Sequence, residues 1–190
     1  ATTGTNKNIT IETDHLNING SSPRISSSGQ LILKPLNSST SIGIGGASGT
    51  LQLPASYFNT NFADGFSNIQ IGSNSQTGAI SSNAFTVRDN MTFLTTGSLT
   101  LGGIPVLGSN NVTLGSAISS ITASTNGYFK TDGTGVVNRT IANGSNHLFP
   151  IGNALYNPVS IVNNTGASDV FTAKVRDAVL KDGTSGTQMT

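Results

Sequence analysis

Eight carboxylates are available for acid–base chemistry in this sequence: Glu12, Asp14, Asp64, Asp89, Asp132, Asp169, Asp177 and Asp182. A polysaccharide hydrolase needs two of them held roughly 5 to 10 Å apart, one as acid and one as base or nucleophile. Glu12 and Asp14 come nearest. If residues 9–14 are extended, both lie on one face, with His15 adjacent. The competing reading is exposed charge at the first coils. The other acids stand apart, mostly beside Gly or Asn in turns. Asp64-Gly65, Asp132-Gly133 and Asp182-Gly183 each offer calcium a single carboxylate. No Asp-x-Asp-x-Asp-Gly loop and no Gly-Gly-x-Gly-x-Asp repeat occurs, so ordinary turns are preferred there. His15 and His147 are the only imidazoles and sit in no ligand-spaced cluster; cysteine is absent. Serine is abundant, but no Gly-x-Ser-x-Gly elbow has the flanking strand and helix it requires. Gly43 to Gly46 lack the helix and lysine of a phosphate loop and read as corners. The expectation is no catalysis, no cofactor and no bound metal.

The elements that position these residues are short. Apolar residues two apart recur along the chain: Ile9 and Ile11, Leu16 and Ile18, Leu31 and Leu33, Ile42 and Ile44, Leu51 and Leu53, Ile69 and Ile71. From Ala84 to Thr125 they run Phe85/Val87, Met91/Phe93, Leu99/Leu101, Ile104/Val106, Val112/Leu114 and Ile118/Ile121. Period two puts each pair on one face of a strand. Gly, Asn, Ser and Thr between them form corners. Rungs recur at roughly 7 to 10 residues, and three rungs per coil give a coil of roughly 20 to 28 residues, a solenoid spacing. The expected fold is all-β: a β-helical rod, or β-solenoid, over residues 1–125, then the start of a β-sandwich-like module over 126–190. At ~4.8 Å per stacked strand, five or six coils make a rod on the order of 25 to 30 Å.

Composition narrows the partners. Charged residues are 9% of the chain and the formal net charge is +1, with the nine basic residues scattered. Nucleic acid requires a basic stripe against its phosphates, and none is present. Anionic membranes are equally poor targets. No apolar run approaches the ~20 residues that span a bilayer. Without cysteine, repeated packing rather than disulfides must stabilise the fold. The polar start, Ala1 to Thr5, has no signal-peptide pattern, so the sequence reads as a mature fragment of something longer.

Residues 55–65 interrupt the rhythm. Tyr57, Phe58 and Phe62 sit at i, i+1 and i+5 and predict a helical turn or excursion packed on the rod. Their first reading is local core. The second is a glycan contact, with the rings as a stacking platform for sugars. After Thr125 longer candidates appear: Tyr128–Thr131, Val136–Ile141, Val159–Val162 and Phe171–Leu180. They read as the opening strands of an antiparallel sandwich. Eight Asn-x-Ser/Thr sequons, from Asn8 to Asn163, read as turns and stacked asparagines rather than glycan carriers.

Two stretches carry a resemblance. Ser41-Ile-Gly-Ile-Gly-Gly-Ala-Ser-Gly-Thr-Leu-Gln-Leu, with Gly65-Phe-Ser-Asn-Ile-Gln-Ile-Gly-Ser and Gly78-Ala-Ile, resembles segments of filamentous-haemagglutinin-like β-helical adhesins. Asn146-His-Leu-Phe-Pro-Ile-Gly-Asn-Ala-Leu-Tyr-Asn-Pro-Val-Ser-Ile, with Asn163-Asn-Thr-Gly and Val175-Arg-Asp, resembles large secreted surface proteins of Bacteroidota. Those use type IX secretion, and some are gliding-motility adhesins. The resemblance implies that the rod over residues 1–125 is a right-handed parallel β-helix, in an extracellular or cell-surface repeat protein. Its partners would be a polysaccharide or solid surface, the secretion machinery, and other copies of itself in filaments. Two alternatives remain open. One is a polysaccharide-degrading β-helix enzyme. The other is an ice- or crystal-binding solenoid, for which Thr92, Thr95, Thr96 and Thr100 come nearest to a threonine array.

Overall fold

A computed structural model describes residues 6–176 together with the backbone of 2–4. Its strands, in chain order, are β1 (Thr2–Gly4), β2 (Ile9–Glu12), β3 (Ile25–Ser27), β4 (Gln30–Lys34), β5 (Ile42–Ile44) and β6 (Leu51–Leu53). Then come β7 (Asn68–Gly72), β8 (Ile80–Ser82), β9 (Met91–Leu94), β10 (Ser98–Leu101), β11 (Val112–Leu114) and β12 (Ser120–Thr122). The last are β13 (Phe129–Lys130), β14 (Val137–Ile141), β15 (Asn146–Phe149), β16 (Ile151–Gly152), β17 (Val159–Val162) and β18 (Asp169–Ala173). One helical turn, Tyr57–Asn61, is the only helix among the described residues. The class is all-β.

Strands distant in sequence lie side by side and parallel. The larger sheet runs β18-β14-β11-β9-β7-β4-β2, parallel throughout except for antiparallel β18. The smaller runs β12-β10-β8-β5-β6, all parallel. A third ladder is sparser: β1 with β3, Ile25 with Phe62, Thr86 with Val106, Val106 with Lys130, and β13 with β16. The sheets are mixed and do not close on one another. Successive partners are mostly 21 to 24 residues apart: 22 from Asn8 to Gln30, 24 from Asn68 to Thr92, 21 from Asn90 to Asn111. One separation is longer, with Gln30 and Gln70 40 residues apart, because the segment between them also contains β6 and the helical turn.

Two inward columns form the core beneath the larger sheet. One is Leu31, Ile69, Met91, Val112 and Val137; the other is Leu33, Ile71, Phe93 and Leu114, all at most 3% exposed. In-register pairing stacks like on like, so each strand covers its neighbour's apolar side chains. Each buried aliphatic side chain contributes about 1.5 to 3 kcal/mol. The corners are tied from coil to coil by amides. The Oδ1 atoms of Asn8, Asn90 and Asn111 accept the backbone N–H groups of Gln30, Asn111 and Val136, one circuit on, at 2.9, 2.9 and 3.1 Å. These asparagines satisfy main-chain donors that the short strands leave unpaired.

The β5–β6 connection is unusual. Parallel neighbours ordinarily need a crossover of about a dozen residues or more. Here loop 45–50 curls back over its own strand, and Ile42 pairs with Leu51. A Cβ on Gly43 would lie 2.2 Å from the Ala47 carbonyl oxygen, and one on Gly49 would lie 2.2 Å from the Gly43 nitrogen. Only glycine permits that approach.

Three expectations change. Leu16 and Ile18 form no strand; the Ile18 N–H goes instead to the Tyr57 hydroxyl at 3.0 Å. The parallel stack does not stop at residue 125, because β14 pairs with β11 and β13 with β16. What begins late is strand reversal: β15 with β17 and β14 with β18 are antiparallel, so a separate sandwich starting at 126 is not what forms. The expected continuation of the last strand to Leu180 and the Asp182-Gly183 turn lie outside the described residues.

Candidate functional site

Glu12 and Asp14 are each engaged by residues at the end of β4 and just beyond it. Glu12 lies opposite Lys34 in the register, with its carboxylate 3.0 Å from the Lys34 Nζ. Asp14 Oδ1 accepts the Asn37 N–H at 3.2 Å, and the other oxygen accepts from the Asn37 side-chain amide. Strand β2 ends at Glu12, so the shared extended face that would pair the two acids is not built. His15 donates its N–H to Thr13 Oγ1, within the same corner. Asp64 faces Arg88 at 3.5 Å and Asp132 faces Lys130 at 3.7 Å. Among the described residues, no three His, Asp or Glu side chains gather as metal ligands.

Asp89 is the most perturbed acid. It is 6% exposed, and its Oδ1 accepts the Gly65 N–H at 2.8 Å. Burial pushes its carboxyl up to about 6, against the lowering effect of that N–H; Asp64 beside it raises it further. Through the Gly65 N–H Asp89 clamps one corner to another, with the Asp64 carboxyl close enough to hydrogen-bond to it.

Tyr57, Phe58 and Phe62 are corrected as glycan contacts. They are 6%, 3% and 2% exposed, and the rings meet edge to face, Tyr57–Phe62 at 5.9 Å and Phe58–Phe62 at 5.5 Å. The helical turn is wide, closed by Phe62 N–H to the Tyr57 carbonyl at 2.8 Å, and it aims all three rings inward. The Tyr57 hydroxyl donates to the Leu16 carbonyl at 3.0 Å. No face is left for a sugar ring to stack upon.

What the outside presents is neutral and polar. Thr10, Gln70, Thr92, Thr113 and Asn138 succeed one another across the larger sheet at outward positions, interrupted only by Ile32. Thr92 donates to Asn68 Oδ1 at 3.1 Å. The threonine array does not assemble: Thr95 is 1% exposed and donates to the Gly78 carbonyl, while Thr92 and Thr100 stand on different sheets. A shallow groove of about 250 Å³, lined by Gly46, Ser48, Ser81, Ser82, Asn83 and Thr100, lies on the smaller sheet.

The most unusual side chain is Arg139. It is 2% exposed and stands at the inward position that Leu114 and Phe93 hold in the two preceding coils. One Nη2 hydrogen goes to the Ile118 carbonyl at 3.0 Å, and its Nε is buried without an acceptor. No carboxylate among the described residues pairs with it. Beside it lies a cavity of about 190 Å³ lined by Arg139, Ser119, Ser120, Asn146, His147 and neighbouring apolar atoms. Burial, and then Arg139 itself, lower the His147 pKa below its ordinary 6.5, so this imidazole is neutral at pH 7. Sequence reasoning placed Arg139 on a strand without asking which side it faced. The signal was present, since period two puts Arg139 on the same face as Val137 and Ile141.

No protein-family model, curated protein or solved structure matches the chain. The resemblance to secreted adhesins therefore rests on the motifs in the sequence.

Proposed function

We propose that this chain is a non-catalytic segment of an extracellular, adhesive β-helical rod, wound right-handed, which holds binding surface away from a cell. The observation that carries this reading is the register. Coil after coil repeats the same inward rung and offers an outward row of Thr, Gln and Asn, while Glu12 and Asp14, the pair that suggested hydrolysis, are each tied to residues 34–37 of the neighbouring coil. Such a surface suits many weak hydrogen bonds to polysaccharide or a solid surface, multiplied by repetition in a larger assembly or filament. Secretion through a type IX route and a role in gliding belong to the same reading, by resemblance. Nucleic acid and membrane insertion do not; no helix among the described residues is long and apolar enough to cross a bilayer.

The test is retention of beads coated with the chain on polysaccharide-coated surfaces, compared with the soluble monomer. Bead avidity about 100-fold or more above the monomer supports the reading. Absence of retention on every polysaccharide and mineral surface, or release of reducing ends lost in Glu12→Gln or Asp14→Asn, sinks it.

A further inference from the structure

The uncompensated guanidinium at the end of the core points to a ligand of opposite charge. A buried arginine ordinarily keeps a carboxylate partner, because an unpaired ion in the interior is strongly penalised. Among the described residues Arg139 has none; its Nε–H is buried without an acceptor, and the side chain borders a cavity whose walls are part polar, part apolar. We propose that this cavity binds a small hydroxylated monocarboxylate, of the size of a single sugar acid, with Arg139 as the carboxylate receptor.

Charge, shape and size each select that class. With His147 neutral at pH 7, one cation faces the cavity, so a single negative charge balances it while a phosphate dianion leaves an excess. The planar fork of a guanidinium matches the two oxygens of a carboxylate. Ser119, Ser120 and Asn146 supply hydroxyl and amide groups that both donate and accept, the pairing that ligand hydroxyls require. A cavity of about 190 Å³ is far above the roughly 10 to 15 Å³ that a single water needs. That is room for one six-membered ring. The inference is independent of the adhesive reading, since a rod with or without surface affinity has the same cavity.

The experiment is a titration of the full chain with D-glucuronate, D-glucose and inorganic phosphate, followed by the ¹H–¹⁵N resonance of the Arg139 Nε–H and by calorimetry. Arg139→Met supplies the deletion of charge, and Ser120→Trp, at an exposed position on the cavity wall, supplies a steric block. The expected result is a saturable shift of the Nε–H with glucuronate and binding at least tenfold tighter than to glucose or phosphate. Both variants should bind at least tenfold more weakly, with circular dichroism of the parent. If Arg139→Met does not fold, Ser120→Trp and the resonance in the parent chain still decide. Absence of a shift with glucuronate, an equal response to glucose, tighter binding of phosphate, or undiminished binding in a folded variant overturns the proposal.

Discussion

Arg139 stands directly opposite Leu114 in a parallel register, so a guanidinium continues a column that is aliphatic or aromatic in the coils before it. That substitution of charge for hydrocarbon marks the place where parallel stacking gives way to strand reversal. The next strand beside β14 is β18, running the other way, with Phe171 opposite Arg139.

In the absence of ligand, Arg139 is a stability liability. Replacing an unpaired buried ion by an apolar side chain of similar volume removes its desolvation penalty. Arg139→Met is expected to be more stable than the parent by about 1 to 4 kcal/mol. The check is the urea midpoint, which should rise with the slope of the transition unchanged.

The column itself responds in the opposite sense. Leu114 is 1% exposed, and Leu114→Ala should cost about 2 to 5 kcal/mol through lost burial and a residual cavity. Its neighbour Thr113 faces outward, so Thr113→Ala should stay within about 0.5 kcal/mol. Equal losses in thermal denaturation would contradict the assigned faces.

Asp89 gives a pH dependence. Its carboxyl titrates near 3.8 when unfolded and at about 6 when folded, so between those values the native state holds more protons. Stability therefore falls as pH rises through that window and remains reduced above it. Asp89→Asn removes the charge and keeps an oxygen for the Gly65 N–H. It should exceed the parent by about 2 kcal/mol at pH 7.5 and converge with it near pH 4, as read from melting temperatures across pH.

Gly43 and Gly46 separate contact from conformation. Gly43→Ala drives a methyl group into the Ala47 carbonyl oxygen and should cost more than about 2 kcal/mol. Gly46 has φ +86° with open space around it, so Gly46→Ala should cost only the left-handed strain, about 1 to 2 kcal/mol. Denaturant midpoints of the two variants give the comparison.

Much of the ladder was readable from the sequence. Pairs such as Ile42/Ile44, Met91/Phe93 and Val112/Leu114 announce an inward face, and all are buried. A period-two pair specifies a face and leaves the backbone partner open, which is why Leu16 and Ile18 misled: no neighbouring strand accepts them, and a tyrosine hydroxyl takes the amide. The spacing of Tyr57, Phe58 and Phe62 indicated a turn. It could not say whether the rings faced the sugar side or the core, a choice fixed by the five-residue spacing of the Phe62–Tyr57 hydrogen bond. The longer apolar runs after Thr125 suggested a new module, whereas β13, β14 and β16 extend the old ladders. Arg139 was legible as a charge out of phase; its empty surroundings were not, because they depend on which residues of β12 and β15 come alongside.

The tight return between Ile42 and Leu51 also bears on how the chain acquires its shape. These strands meet across nine residues of sequence, against 22 for Asn8 and Gln30. On loop-closure entropy alone the shorter circuit is easier by about 0.8 kcal/mol, close to fourfold in rate. The first parallel contact during folding is therefore expected at β5 and β6, and that pair then gives β8 an edge on which to dock. Conservative truncations there, such as Ile42→Val, should slow refolding, while Val137→Ala should chiefly hasten unfolding.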